Sequence, residues 1–300
     1  MRFVPNITTD VIANIEQSDQ NVQNALQQVS TGQRVQTPSD DPAAAAMLVQ
    51  LQAESNNVDQ YTTNAESALG QAQTADSAVS SVVSLLNQAV TLGVEGANST
   101  ESTTDRAAIA TSVQGLLTNV VALANTTYQG VSLFGGTQNG TAAFTASSSS
   151  STGYQYNGNS GISQVQIGDS LSVQANIPGD TLFDSPNASV LGALSGLATA
   201  LTSGSTTDIG NATAAVTTAL NYVTEQHVVY GSAINEINSQ DSYLAQDKVT
   251  LSSEATSLVG VDTATAAENL TSAEENNSAV LAASSKVLQN SLLNYLATPS

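Results

Sequence analysis

Few residues in this sequence could do chemistry. One histidine, His227, and no cysteine occur among 300 residues, which removes thiolate nucleophiles, zinc sites of the Cys/His kind and His-based triads. His227 itself falls in an apolar stripe at helical spacing, where a neutral imidazole hydrogen-bonded to a partner helix is the ordinary role. The two lysines, Lys248 and Lys286, follow no glycine-rich turn, so no phosphate-binding loop is present. Carboxylates are plentiful but poorly disposed for catalysis. Glu274 and Glu275 are adjacent and on a helix point about 100° apart, which bars them from acting as a facing acid/base pair. Asp40 and Asp41, in the run Pro38-Ser39-Asp40-Asp41-Pro42, match no calcium loop and read as helix-start chemistry. No catalytic, cofactor-binding or metal-ligating residue is assigned, no cofactor is expected, and the chain is read as a non-enzyme.

Charge narrows the partners. Twenty-five acidic against five basic residues give a net charge of −20, so the counterion release that drives binding to nucleic acid or anionic lipid is missing. No stretch approaches the ~20 apolar residues of a membrane span, and membrane insertion is not expected. The N-terminus has Arg2 but is then polar and Asn-rich through Asn24, without the apolar core and small-residue cleavage site of a signal peptide. Export is therefore expected to use no cleaved leader. The lack of cysteine fits an uncontrolled redox environment.

The elements behind these residues are long helices. Prolines at 5, 38, 42, 178, 186 and 299 leave two wide windows free of helix breakers. From Ala44, positions 44, 48, 51, 55, 58, 62, 65, 69, 72, 76, 79, 83, 86 and 90 alternate steps of four and three, and eleven of the fourteen are apolar. This is the stripe of one helix from Pro42 to about Thr91, with Asp41 as N-cap. A second long helix carries Val216, Val223, Tyr230, Ile237, Leu244, Leu251 and Leu258 in one heptad phase and ends at Gly260, after which Asp262 or Thr263 can cap another. A shorter helix fits Asp105 to Asn125, with Ser102 to Asp105 as a capping box and Ile109, Val113, Leu116, Val120 and Leu123 on one face. Between these, Leu171, Val173, Ala175 and Ile177 alternate with polar residues, and Gly168-Asp169 can turn that run back on Ile162 to Ile167 as a hairpin.

The fold class expected is mainly α: a long antiparallel coiled-coil or helical-bundle rod with terminal helices and a small β-rich insert domain. Its parts are an N-terminal assembly helix (1–36), the first half of the rod (37–137), a β-rich surface insert (138–189), the second half of the rod (190–260) and a C-terminal assembly helix (261–300). Both ends are amphipathic. Val4, Ile7, Val11, Ile15, Val22 and Val29 recur on one, and Leu270, Leu281, Leu288, Leu292 and Tyr295 on the other. With few internal partners in view, these stripes predict self-assembly, each buried Leu or Val contributing ~1.5–3 kcal/mol.

Several separated runs carry a resemblance. Leu26-Gln27-Gln28-Val29-Ser30-Thr31-Gly32-Gln33-Arg34-Val35 is a Leu-bearing helix ending in Ser-Thr-Gly-x-Arg-Val, and Pro38-Ser39-Asp40-Asp41-Pro42-Ala43-Ala44 follows it. Asp105-Arg106, Leu123-Ala124-Asn125 and Leu133-Phe134-Gly135-Gly136-Thr137 come next, then Val261-Asp262 and Ser291-Leu292-Leu293-Asn294-Tyr295-Leu296. Together they resemble the flagellin superfamily over roughly 1–137 and 190–297, and its hook-associated protein 3 type in particular. Filament flagellins usually have an Asp-Asp-Ala-Ala-Gly run where Pro38 to Pro42 stands, which favours the junction type; Gln129-Gly130-Val131 departs from the common Asn-Gly-aromatic version.

The resemblance implies a structural protein of the bacterial flagellum, a ring of junction subunits between hook and filament held by its paired N- and C-terminal helices, which line a tube. The implied partners are further copies of itself, the hook protein or first hook-associated protein, filament flagellin, and a cytoplasmic export chaperone on the C-terminal helix. The implied location is extracellular, at the hook–filament junction. Filament flagellin and a secreted coiled-coil adhesin are the alternatives.

Overall fold

A computed structural model describes the backbone of residues 7–138, 140 and 142–296, and the side chains of 9–138, 140 and 142–289. In chain order the elements are α1 (Ile7–Thr31), α2 (Pro42–Gly96), α3 (Thr103–Ala124), β1 (Thr127–Tyr128), β2 (Val131–Ser132), β3 (Phe144–Ala146), β4 (Tyr154–Tyr156), β5 (Gln164–Gln166), β6 (Ser172–Gln174), α4 (Gly179–Phe183), α5 (Val190–Ser203), α6 (Thr206–Val259) and α7 (Thr263–Leu296). The class is mainly α, as the periodicity predicts. Among the described residues the strands form antiparallel pairs, β1 with β2, β3 with β4 and β5 with β6. The chain divides into two compact units, Asn57–Asp247 and Met1–Asn56 with Lys248–Ser300.

In the unit Asn57–Asp247 the core follows helical spacing. Val216, Val223, Tyr230, Ile237 and Leu244 of α6 are at most 2% exposed, in the heptad phase read from the sequence. On α2 the phase Ala65, Ala72, Val79 and Leu86 is buried as expected, but its companion is Ala68, Ala75, Val82 and Ala89. The expected companions Leu69, Asp76, Val83 and Val90 are only half-buried. Alanines let helix backbones approach, and the larger side chains then flank the contact. The helix also runs past its expected end near Thr91 to Gly96, where an added Cβ would stand 2.2 Å from Leu201 Cδ2. A side chain there would push the Leu201 methyl of α5 aside.

The start of α3 is the expected capping box: Asp105 N donates to Ser102 Oγ at 3.2 Å and Ser102 N to Asp105 Oδ2 at 3.3 Å. Its buried face holds Ile109, Val113, Leu117, Val120 and Val121, whereas Leu116 and Leu123, expected there, lie at its margin. Against it packs α5, an element the sequence reading did not separate. Its signals were present: Ser189 caps it by accepting from Gly192 N at 2.9 Å, and Val190, Leu194, Leu197 and Leu201 repeat at helical spacing, all buried.

The expected hairpin is β5 with β6, Val165 opposite Val173. Ile167 N donates to Leu171 O at 2.9 Å, so the turn holds Gly168, Asp169 and Ser170 rather than two residues. Residues 138–189 do not form a core of their own. Phe144, Ile177, Leu182 and Phe183 join Phe134 and the buried faces of α3 and α5 in one cluster. Phe183 meets Phe134 and Phe144 edge-on at 5.1 and 5.9 Å between ring centres. Tyr230 Oη accepts from Ile177 N at 3.1 Å, and burial pushes this phenol well above its ordinary range.

Two helices correct one expectation. Both α2 and α3 contain an 18-residue window long and apolar enough to cross a membrane. Scattered alanines raise the apolar content without an unbroken run of large side chains, and in α3 most of the large ones are buried in protein rather than left for lipid.

In the unit Met1–Asn56 with Lys248–Ser300, Val35, Ala44 and Val259 form a small core with Leu48 and Leu258. Leu251 of the sequence-predicted α6 phase is also buried here. As anticipated, α6 stops before Gly260 and Asp262 opens α7, accepting from Ala264 N at 3.1 Å.

Candidate functional site

The motif Pro38-Ser39-Asp40-Asp41-Pro42 organises the connection from α1 to α2. Gly32 closes α1 in the left-handed region, φ +68°, and donates to Gln28 O at 2.9 Å. Thr37 to Asp40 then make a turn, with Asp40 N donating to Thr37 O at 3.0 Å and Pro38 and Ser39 at its centre. Asp40 Oδ2 accepts from Thr37 N at 2.8 Å and Gln36 N at 3.0 Å, bonds that hold this carboxyl below its usual range. Asp41 Oδ1 caps α2 by accepting from Ala44 N at 3.0 Å, and this bond, then the Arg34 guanidinium at 3.2 Å, lowers its pKa too. Pro42 takes the first helical position, where a missing N–H costs nothing.

Arg34 ties this connection to the one between α6 and α7. Its Nη2 donates to Leu258 O at 3.3 Å as well as to Asp41. Its backbone N donates to Val259 O at 2.7 Å, Val261 N donates to Gly32 O at 3.0 Å, and Gln33 bridges Gly260. The two terminal helices thus leave one clasped point as a pair.

From there α1 and α7 run antiparallel against each other, which corrects the expectation that the ends have few internal partners. Their seam is Val11, Ile15, Ser18, Val22 and Ala25 on α1 and Ala266, Leu270, Ala273, Asn277, Val280 and Ser284 on α7, each buried or half-buried. Of the predicted assembly residues, Val11, Ile15, Val22 and Leu270 lie on this seam. Val29, Leu281 and Leu288 stay exposed, at 37%, 50% and 40%. Val4 lies outside the described residues, and Ile7, Leu292 and Tyr295 belong to α1 and α7 with side chains outside them. The amphipathic stripes of the sequence also include Ala25 and Ala273, both on the seam, but not Ile12 and Leu26, both more than half exposed, nor the seam residues Ser18, Ala266, Asn277, Val280 and Ser284. Following the 3.5 period through polar as well as apolar positions would have found Ser18, Asn277 and Ser284.

The pair has two unlike flanks. A groove of about 640 Å³ along one is lined by Asn14, Gln17 and Asn21 together with the apolar Ala279, Ala283 and Val287, and a neighbouring, more polar one by Asn24, Gln28 and Asn269. Helical spacing puts Ile12, Asp19 and Leu26, seven residues apart, on the opposite flank of α1.

His227, the chain's one histidine, sits in the other unit with Nε2 2.8 Å from Asp76 Oδ1, close but not aligned as a hydrogen bond. Two polar interruptions of two apolar stripes therefore meet each other. No group of His, Asp and Glu able to hold a metal occurs among the described residues.

Comparison with known proteins agrees with this anatomy. Residues 6–139 match the family model of the bacterial flagellin N-terminal helical region. The flagellar hook-associated protein 3 of Escherichia coli (strain K12) is 38% identical over 161 residues, 53% of this chain and 49% of that protein. A flagellin of Clostridium tyrobutyricum is 31% identical over 121 residues, 40% of this chain and 32% of that protein. The chain thus spans about half or less of the length of these curated relatives. The crystal structure of the flagellar junction protein from Legionella pneumophila superposes with a TM-score of 0.61 at 15% identity, over 72% of this chain and all of that one, a likeness of fold.

Proposed function

We propose that this chain, which belongs to the flagellin superfamily and to its hook-associated protein 3 type, is a structural subunit of the bacterial flagellum that assembles as a ring between hook and filament. It catalyses no reaction in this reading. What supports it is the terminal pair: α1 and α7 satisfy each other along a seam of mixed aliphatic, small and polar residues yet leave Ile12, Leu26, Leu281 and Leu288 in water. Apolar side chains held out on paired helices are what an assembling surface presents. Assembly packs Val4 to Val29 against Leu270 to Leu296 of the same and neighbouring chains. The ring's partners are the hook protein or first hook-associated protein on one side and filament flagellin on the other. Before that, an export chaperone covers Leu281, Leu288, Leu292 and Tyr295. The likeness to a flagellin favours filament subunit as the second reading.

Immunogold labelling of intact cells with an antibody to residues 138–189 separates these. A discrete band where hook meets filament is expected, label along the filament makes the chain a flagellin, and absence of flagellar label returns it to a secreted adhesin. The variant Leu288→Asp with Leu292→Asp should abolish incorporation while helicity by circular dichroism is kept. Normal incorporation overturns the terminal-helix mechanism.

A further inference from the structure

The two flanks of the α1–α7 pair differ in charge as well as in shape. Asn277 Nδ2 donates to Asp19 Oδ1 at 2.7 Å, which sets these residues at one level of the antiparallel pair. Helical spacing places Ile12 and Asp19 of α1 and Glu274, Leu281 and Leu288 of α7 on the flank turned from the grooves. One end of this ridge therefore groups Ile12 with Leu281 and Leu288, all exposed, and its middle holds Asp19 and Glu274. The grooved flank repeats that order in other chemistry. Val11, Ala283 and Val287 line it at the end level with Ile12, and Gln17, Asn21 and Asn276 line its middle. No charged residue lines either groove, in a chain of net charge −20. Gln17 Nε2 donates to Asn21 Oδ1 at 3.3 Å, which occupies that oxygen and leaves the Asn21 N–H groups to an incoming acceptor.

We propose that the ridge of one copy seats in the groove of a second copy lying beside it in the same direction. The proposal rests on the self-assembly read above and specifies its contact. Apolar side chains then meet apolar ones, and the carboxylates of Asp19 and Glu274 meet amide donors. Ridge against ridge would instead press two sets of these carboxylates together, a repulsive contact, and groove against groove would leave the exposed aliphatic residues of both copies in water. A ridge-in-groove contact is heterologous, so each copy keeps one flank to offer and one to fill, and the contact propagates from copy to copy. Leu26, level with the more polar groove of Asn24, Gln28 and Asn269, carries less of it.

Cysteine cross-linking reads the contact directly, because the chain has no cysteine of its own. Ser285 and Ala283, two residues apart and so about 200° apart on α7, fall respectively beside the ridge leucines and in the groove. Full-length Ser285→Cys and Ala283→Cys chains with different mass tags are mixed at equal concentration and oxidised. The mixed disulfide should exceed the two like-with-like dimers together several-fold, whereas random collision makes the two amounts equal. A Gln20→Cys chain, altered on the side of α1 turned from α7, sets the collision yield. Asn21→Asp in the Ala283→Cys chain should cut the excess several-fold, and Asp19→Asn with Glu274→Gln in the Ser285→Cys chain should restore it. All the substituted positions are exposed, so the fold is kept. Equal amounts, or no dimer beyond the Gln20→Cys yield, overturn the docking, and an excess indifferent to Asn21→Asp, or not restored, overturns the match of acid to amide. An excess in a chain that fails to enter flagella refutes the flagellar reading alone, and incorporation with equal amounts refutes this contact alone.

Discussion

Two seams in this chain obey the same period and are filled in opposite ways. In the unit Asn57–Asp247, Leu86, Val79, Val216, Val223, Leu194 and Leu197 are fully buried. Along α1 and α7 the buried residues are Ser18, Ala25, Ala266 and Ser284, while the larger Val11, Ile15, Val22 and Val280 are only half-buried. Spacing alone therefore makes a helix pair, but side-chain volume decides whether the pair is complete. The first seam is finished within one chain. The second buries little and keeps Leu281 and Leu288 outside it, which is the condition under which a neighbouring chain has something left to bury.

The contrast breaks or sharpens first at the aromatic cluster. Phe183→Ala removes a fully buried ring that meets Phe134 and Phe144 edge-on, and should destabilise the chain by about 3–5 kcal/mol in urea unfolding. A cost below about 1 kcal/mol would mean that this unit is as loosely filled as the terminal pair. Tyr230→Phe is the next largest. The ring stays, but Ile177 N loses its buried acceptor, and a cost of about 1–3 kcal/mol is expected by the same measurement.

How much of this contrast is legible in sequence depends on what the signal is. The heptad phase Val216 to Leu244 reads directly because large apolar residues repeat without a break, and the Ser102/Asp105 box because cap residues act locally. The α2 phase through Ala68, Ala75 and Ala89 was misjudged by one position, since alanine is a weak hydrophobic mark and Leu69 and Val83 beside it are stronger ones. The residue pattern alone leaves the pairing of α1 with α7, which the resemblance implies, only partly legible for the same reason. Ser18, Asn277 and Ser284 read as interruptions of a stripe, and only the partner helix reveals them as its centre. The clasp by Arg34 joins residues more than two hundred positions apart, and no local pattern announces it.

Acid probes the clasp with a smaller effect. Asp40 and Asp41 have folded pKa values below the ordinary carboxylate range because backbone N–H groups, and for Asp41 also Arg34, favour their charged forms. Their contribution is fully present above the unfolded value, near 4 for an aspartate, and is lost as pH falls through the lower folded values. Amide hydrogen exchange of the Gln36, Thr37 and Ala44 N–H groups should accelerate below about pH 4, after correction for intrinsic rates. In Asp40→Asn with Asp41→Asn that pH dependence should vanish. Protection that persists in the parent to the lowest pH would detach these carboxylates from the clasp.

The smallest effect is the most discriminating. Leu281 and Leu288 are large aliphatic residues, yet at 50% and 40% exposure they already have much of their surface in water. Leu281→Ser with Leu288→Ser should therefore leave the urea midpoint of the isolated chain within what exposed substitutions allow, about 0.5 kcal/mol, while removing apolar area that only a neighbour could cover. Incorporation into flagella should fall sharply in the same variant. A drop in midpoint approaching that of Phe183→Ala would place both leucines in the chain's own fold and erase the difference between the seams. An unchanged midpoint with lost incorporation, in a variant still exported to the medium, assigns their burial to the assembled state, since a side chain needed neither for the fold nor for export is required by what the monomer joins.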